Sequence, residues 1–289
     1  MTTTLAAADV RRAAAARLRT AGVPSPEWDA DELLVHVLGA QRSQLPVVEE
    51  LTEGEARTYL ALIDQRADRI PLQHLTGTAA FRHTELLVGP GVFIPRPETE
   101  LLAGWAIDAV RAISTNATDL EPIVVDLCTG SGAIAKAVAQ EAPQARVYAV
   151  ELDERALVWA RRNLADTPVD LRHGDMATAF DELLGQVDVI ACNPPYIPLD
   201  AWESVAPEAR DHDPEVALFS GVDGLDAFRV LERRAACLLR PGGRVGAEHA
   251  DAQGEAAPQV FTRTQRWTEV VDHLDLANRP RFVTARLAG

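Results

Sequence analysis

The chain has 289 residues, 47% of them hydrophobic and 25% charged, a mix that suits one large domain or two ordinary ones and excludes wholesale disorder. No apolar run approaches the ~20 residues of a membrane-crossing helix, so no membrane partner is expected. With 28 Lys and Arg against 43 Asp and Glu the net charge is −15, which disfavours broad phosphate-backbone binding and leads us to expect no direct nucleic-acid partner.

Residues 1–21 are rich in Ala, Arg and Thr, as transit peptides are, but Asp9, Arg11 and Arg12 break that pattern. The segment reads as the first helix, over 5–20, of a cytoplasmic protein, ended by Gly22 and Pro24. Ser25 followed by Pro26 is an N-cap with proline at the first helical position, opening a helix that Gly39 stops after Leu38. Thr52 with Glu55 is a capping box, and behind it Ala56, Tyr59, Leu60, Ile63, Ala67 and Ile70 share one helical face. These stripes predict a small helical N-terminal domain over 1–75 in which nothing catalytic is visible. Gly77, Gly89, Pro90 and Gly91 then punctuate 81–88 and 92–94, which predicts a β-hairpin linker over 76–97.

A second domain is expected over 98–289. It opens with a helix at 98–113 and a polar loop at 114–119. Strands are predicted at 123–127, 146–150, 169–172, 187–192 and 244–248, with helices at 133–140, 154–164 and 225–239. A helix at 253–262 and strands at 268–272 and 281–286 complete it. Such short alternation predicts an α/β fold, a doubly wound, mostly parallel sheet with helices on both faces. Ligands in these sheets lie beyond strand carboxyl ends where the winding reverses. Attention therefore falls on the chain after Leu127 and after Ile190.

After Leu127 comes Cys128-Thr129-Gly130-Ser131-Gly132-Ala133, a Gly-rich turn into a helix that lets a ligand approach the main chain. The next strand ends in Glu151, a carboxylate able to accept both hydroxyls of a ribose. Turn plus distal acid is the adenosine-binding arrangement of both dinucleotide and S-adenosylmethionine enzymes, and this element alone does not separate them. Asp175, in His173-Gly174-Asp175-Met176, is placed to accept from an exocyclic amino group of an adenine.

After Ile190 comes Ala191-Cys192-Asn193-Pro194-Pro195-Tyr196. The strand delivers an Asn side chain, and two prolines fix the following backbone without competing N–H groups. The Asn193 amide oxygen and the Pro194 carbonyl can both accept from one planar NH2, with Tyr196 as an aromatic wall. Adenine and cytosine amino-methyltransferases use the same logic, because an exocyclic base NH2 resembles a carboxamide. A dinucleotide oxidoreductase leaves Asn193–Tyr196 unexplained.

Asn-Pro-Pro-Tyr beside this Gly-rich turn resembles the S-adenosylmethionine-dependent methyltransferases of NH2 nitrogens. Pro71-Leu72-Gln73-His74-Leu75-Thr76-Gly77 and Phe93-Ile94-Pro95-Arg96-Pro97-Glu98-Thr99-Glu100 narrow the resemblance to the peptide chain release factor glutamine methyltransferases, over nearly the whole chain. It implies a class I methyltransferase-like sheet and a substrate-recognition role for residues 1–75. It also implies methyl transfer to the glutamine amide of the Gly-Gly-Gln tip of class I release factors, by a monomer needing no metal. By the same resemblance Cys128, Thr129, Gly130, Ser131 and Gly132 line the methionine end of S-adenosylmethionine, Glu151 the ribose, and Asp175 and Met176 the adenine. Asn193, Pro194, Pro195 and Tyr196 would grip the glutamine amide, with Asn193, Pro194 and Tyr196 serving catalysis and Asn193 also reaching the cofactor. Cys128 stands where the family usually has Gly.

Arg96 is able to pair with an acid near the site. Asp211-His212-Asp213 and Asp223–Asp226 read as solvated loop charges, and 200–224 is long enough to close over the site. Three cysteines without a CxxC exclude a disulfide scaffold and a Cys-built zinc site and suit a reducing compartment, and the histidines show no metal spacing. Cys128 and Cys192 would end neighbouring strands about 4.8 Å apart, within disulfide reach, although two buried apolar thiols are the plainer reading.

Overall fold

In the computed structural model, which describes residues 4–116 and 121–289, the chain divides by its contacts into two units. The first takes the residues up to Thr78 together with Ala206–His212. Its helices are α1 (Ala7–Thr20), α2 (Pro26–Leu38), α3 (Glu53–Ala67) and the short α4 (Leu72–Thr76). Gly39 closes α2 in the left-handed conformation, and at Thr52 the capping box forms, with Glu55 accepting from the Thr52 N–H at 2.8 Å. Leu18, Leu33, Leu34, Tyr59 and Ile63 are fully buried between these helices. Two strands absent from the sequence reading, β1 (Thr4–Ala6) and β2 (Glu50–Thr52), pair antiparallel.

The second unit begins with a hairpin of β3 (Thr78–Phe81), whose first residue still belongs to the helical unit, and β4 (Thr84–Leu87). Its turn is Arg82-His83, with Arg82 at φ +50°; 81–88 is therefore not one strand, and 92–94 is not a strand at all. Helix α5 (Thr99–Asn116) follows, and the polar loop expected at 114–119 lies in part outside the described residues. Strands β5 (Ile123–Asp126), β6 (Arg146–Glu151), β7 (Asp170–His173), β8 (Val187–Cys192), β9 (Leu239–Glu248), β10 (Trp267–Leu274) and β11 (Pro280–Leu287) form one sheet in the order β10-β11-β9-β8-β5-β6-β7. β7, β6, β5, β8 and β9 run parallel, β11 runs antiparallel to β9, and β10, antiparallel to β11, returns to the direction of the parallel set.

Helices α6 (Ala133–Glu141) and α7 (Glu154–Asn163) pack with α5 on one face, where Val124, Val147 and Val189 point. Helices α10 (Asp226–Leu238) and α11 (Ala256–Thr262) cover the other, where Val125, Tyr148 and Ile190 point. Alternate residues of each central strand thus feed opposite cores, as a sheet buried on both faces requires. The winding reverses between β5 and β8, the place where such sheets leave a crevice. Between β8 and α10 the chain forms α8 (Pro207–His212) and α9 (Glu215–Leu218). The segment 200–224 is therefore not one irregular loop, and 206–212 belongs by its contacts to the helical unit. No helix among the described residues is long and apolar enough to cross a membrane.

Candidate active site

At the carboxyl end of β5 the chain turns sharply over a buried acid. The Asp126 carboxylate accepts from the Thr129 hydroxyl at 2.7 Å and from the Ala135 N–H at 3.3 Å, tying strand, turn and helix start together. Burial pushes its pKa up to about 7, with the Thr129 hydrogen bond opposing. Gly132 donates to the Thr129 carbonyl and stands at the N-cap of α6. Gly130 sits at φ +56°, and a Cβ there would meet nothing within 4 Å. Its main chain therefore borders open space, as a turn that admits a ligand must.

Glu151, at the end of β6, braces this turn. One carboxylate oxygen accepts from the Gly130 N–H at 2.7 Å and the other from the Asp153 N–H at 2.8 Å. Burial raises its pKa, with those N–H donors pulling it down. Asn163 pins the turn from the other side, donating to the Ser131 carbonyl at 2.8 Å and to the Leu87 carbonyl at 2.9 Å. Asp175 is exposed and accepts from the Ala177 N–H, while Met176 lies with its sulfur 3.7 Å from that of Cys128. Cys128 and Cys192 are both free thiols; Cys192 is fully buried and Cys128 partly exposed.

Every residue of β8 is buried, so the strand delivers Asn193 rigidly at the neighbouring strand end. Its amide nitrogen donates to the Thr99 hydroxyl at 3.2 Å, and that hydroxyl donates to Glu248 at 2.7 Å. The other oxygen of Glu248 accepts from the Tyr196 hydroxyl at 3.2 Å. Burial raises the Glu248 pKa to about 6, against the hydrogen bond from Thr99 and the charge of Arg281; burial and the charge of Glu248 push the Tyr196 hydroxyl up. Gln253 holds the exit of the motif, donating to the Tyr196 carbonyl at 2.9 Å and to the Asp223 carbonyl at 3.2 Å. Gly224 (φ +74°) passes so close that a Cβ would overlap that Tyr196 carbonyl. Among the described residues nothing donates to the Asn193 amide oxygen or to the Pro194 carbonyl.

Thr99, Glu248 and Gln253 were missed by sequence reasoning. Thr99 lies inside the 93–100 run but reads as part of a helix start. Glu248 closes the apolar strand Val245-Gly246-Ala247 as Glu151 closes Val147-Tyr148-Ala149-Val150, and that parallel is the signal that could have found it. Arg96 pairs with Asp213 at 2.8 Å and lies over the Phe93 ring. Asp213 is not a solvated loop charge. It is buried, and burial lifts its pKa to about 6 against the charge of Arg96. Asp211 and Asp223 are exposed as expected, the latter paired with Arg229. Among the described residues no cluster of His, Cys, Asp and Glu could hold a metal ion.

The architecture has solved counterparts. The hMettl16 catalytic domain in complex with MAT2A 3'UTR hairpin 6 superposes with a TM-score of 0.53 over 83% of this chain and 84% of that one, at 14% identity, which shows a shared fold. Residues 110–206 match the family described as methyltransferase small domain, and residues 9–77 the PrmC N-terminal domain. The class is that of the methyltransferases built on a doubly wound sheet. A relative from Streptomyces coelicolor named release factor glutamine methyltransferase is 60% identical over 272 residues, covering 94% of this chain and 95% of that protein. One of the same name from Mycolicibacterium smegmatis is 46% identical over 276 residues, covering 94% and 95%. The chain belongs to the release factor glutamine methyltransferase family.

Proposed function

We propose that the protein transfers a methyl group from S-adenosylmethionine to the side-chain amide nitrogen (N5) of the glutamine in the Gly-Gly-Gln motif of class I peptide chain release factors. It acts as a cytoplasmic monomer, and residues 1–75 recognise the release factor beyond its tip. The observation that carries this reading is the pair of acceptors without a donor among the described residues, the Asn193 amide oxygen and the Pro194 carbonyl, at the strand end beside the Gly-rich turn. Two fixed acceptors suit a planar NH2, which offers two hydrogens.

The residues fit the donor. The open main chain at Gly130 leaves room for a ligand against the turn, and Glu151 keeps carboxylate lone pairs beyond the two N–H groups it already accepts. We assign Cys128, Thr129, Gly130, Ser131 and Gly132 to the methionine end, Glu151 to the ribose, and Asp175 and Met176 to the adenine; Asn193 borders both donor and acceptor. When bound, S-adenosylmethionine supplies the methyl on a positively charged sulfur that is its own leaving group, so no metal is required.

The protein's task is the acceptor, whose amide lone pair is delocalised. Asn193 and Pro194 hold the NH2 by both hydrogens and favour positive charge developing on its nitrogen. Pro195 stiffens the loop and the Tyr196 ring walls the flat amide. No dedicated general base is assigned, because the nitrogen becomes acidic only as transfer proceeds.

The test is methyl transfer from labelled donor to release factor, with a Gln→Ala tip and duplex DNA as controls. Label is expected on the intact tip alone. Asn193→Ala should lower turnover about 10²-fold or more, the usual scale for one preorganised polar contact, with donor affinity held within a few-fold. Near wild-type turnover in that variant, or label on DNA, overturns the reading.

A further inference from the structure

The hydroxyl of Thr99 is buried between an amide and a carboxylate, and its single hydrogen must go to one of them. An ionised Glu248 only accepts, so at 2.7 Å it claims that hydrogen. The lone pairs of Thr99 then face Asn193 and can be met only by its NH2 group. An Asn amide turned the other way would set its oxygen against the oxygen of Thr99 with no hydrogen between them. Glu248 is fixed in turn from its other side by the Tyr196 hydroxyl, so one buried carboxylate bonds groups tied to both ends of the Asn193–Tyr196 motif.

We infer that Thr99 and Glu248 are positioning residues for methyl transfer: through the chain Glu248–Thr99–Asn193 they fix which way the Asn193 amide faces and so present its oxygen, not its nitrogen, to the acceptor NH2. The inference rests on the function proposed above and deepens it. Neither residue touches the substrate; they act through Asn193. Nothing in the sequence around Asn193 announces a partner for its amide nitrogen, and Thr99 and Glu248 lie 149 residues apart in sequence.

Several charged groups face Glu248. Arg281 of β11 and Glu98 ahead of α5 act on it by charge, and the Tyr196 hydroxyl bonds it from the motif. Arg281 is itself bonded to Asp275, and His249, next along the chain, turns to Asp272 instead. When Glu248 takes up a proton it ceases to be an obligatory acceptor, and Thr99 is then free to turn its hydrogen away. The orientation of Asn193 should loosen as the pH falls below about 6.

Two readouts test this. In steady-state methylation of release factor, Thr99→Val, which removes the hydroxyl at nearly constant shape, should lower kcat by about 10-fold to 100-fold. Donor affinity, measured with S-adenosylhomocysteine by calorimetry, should hold within about two-fold. Thr99→Ser restores the hydroxyl and should return kcat to within about three-fold of wild type. Glu248→Gln keeps an acceptor oxygen but cannot titrate, so the fall in kcat below pH about 6 should vanish in it. That arm also separates Glu248 from Asp213, which titrates in the same range. The second readout needs no turnover. The chain has four asparagines (116, 163, 193 and 278), so protein labelled with nitrogen-15 at Asn gives few side-chain NH2 pairs. The Asn193 pair, assigned by Asn193→Asp, should exchange slowly with solvent in wild type and Thr99→Ser and faster in Thr99→Val. Wild-type kcat together with an unchanged NH2 pair in Thr99→Val overturns the inference. If the wild-type protein does not methylate release factor, the functional reading falls, while the NH2 pair still decides whether Thr99 holds Asn193.

Discussion

Both units of this chain bury acids, and they treat them differently. In the helical unit Arg66 is buried between Asp29 and Glu208, at 2.7 Å and 2.9 Å, and Arg69 forks onto Glu208 as well. In the sheet unit Asp126 and Glu248 are more deeply buried, yet their hydrogen-bond partners are hydroxyls and an N–H rather than cations. The difference shows in proton affinity. Burial works to raise Glu208, but Arg69 and Arg66 hold it down to about 2; at Asp29, which has Arg66 alone, burial still wins, as it does at Asp126 and Glu248. Matched charges hold segments distant in sequence in place where the remaining donors are also met, as when Arg66 donates to the Ile70 carbonyl at 3.2 Å. Acids with no cation hydrogen-bonded to them raise the question of what they orient, and both lie at the strand ends where the site is built.

The largest effect that could break this contrast lies in the helical unit. Arg66→Ala removes the one cation that Asp29 and Glu208 share and leaves Asp29 buried without its ion-pair partner. The expected cost is about 3–5 kcal/mol, read as lost amide protection in α1, α2 and α3 by hydrogen exchange, with protection in β5 and β8 unchanged. A loss below about 1 kcal/mol would make the cluster no better than a surface ion pair and remove the contrast.

How much of this was legible in the sequence depends on distance along the chain. The alternation from Ile123 onward gives the parallel sheet because each strand carries its own apolar run and each helix its own period. The turn at Gly130 and the acceptors at Asn193 and Pro194 are local for the same reason. β1 and β2 escaped because strands of three residues, such as Thr4–Ala6, are too short for a period of two to register. The hairpin was misplaced because its turn is built from Arg82 and His83, neither a usual turn residue, with Arg82 held at positive φ. Asp213 looked solvated because nothing near it in sequence announces that Arg96, 117 residues away, would cover it. Thr99 and Glu248 escaped because a hydrogen bond between remote residues leaves no local pattern.

The second effect belongs to the sheet unit and is read in pH. A carboxyl whose folded pKa is raised binds its proton more tightly folded than unfolded. The stability it contributes is present below the unfolded value and is lost as the pH rises through the folded one. For Glu248, raised from 4.5 to about 6, that loss is about 2 kcal/mol between pH 4.5 and 7. Asp126 and Asp213 act in the same sense. Glu248→Gln should remove its share, so urea unfolding at pH 5 and pH 7.5, a window in which unfolded Glu is already mostly ionised, should differ by about 1 kcal/mol less in the variant than in wild type. Equal pH dependence in the two proteins would mean that Arg281 compensates Glu248 after all, and the two units would then handle buried acids alike.

The smallest effect calibrates the comparison with an interaction that owes nothing to burial. Thr52 and Glu55 cap α3 reciprocally at the surface, the Thr52 hydroxyl accepting from the Glu55 N–H and Glu55 from the Thr52 N–H. Hydrogen bonds from the Thr52 hydroxyl and N–H lower the Glu55 pKa, so this contribution has the opposite sign to that of Glu248. It is complete above the unfolded value of 4.5 and fades as the pH falls through the folded one. Thr52→Ala should cost about 1 kcal/mol at pH 7 and less at pH 3, measured as amide protection at the start of α3. Because one term grows with pH while the other declines, lowering the pH should relieve strain in the sheet unit while weakening the helical one. A Thr52→Ala penalty that does not change with pH would mean that the Glu55 half of the box contributes nothing, leaving the helical unit dependent on the Arg66 cluster for its pH response.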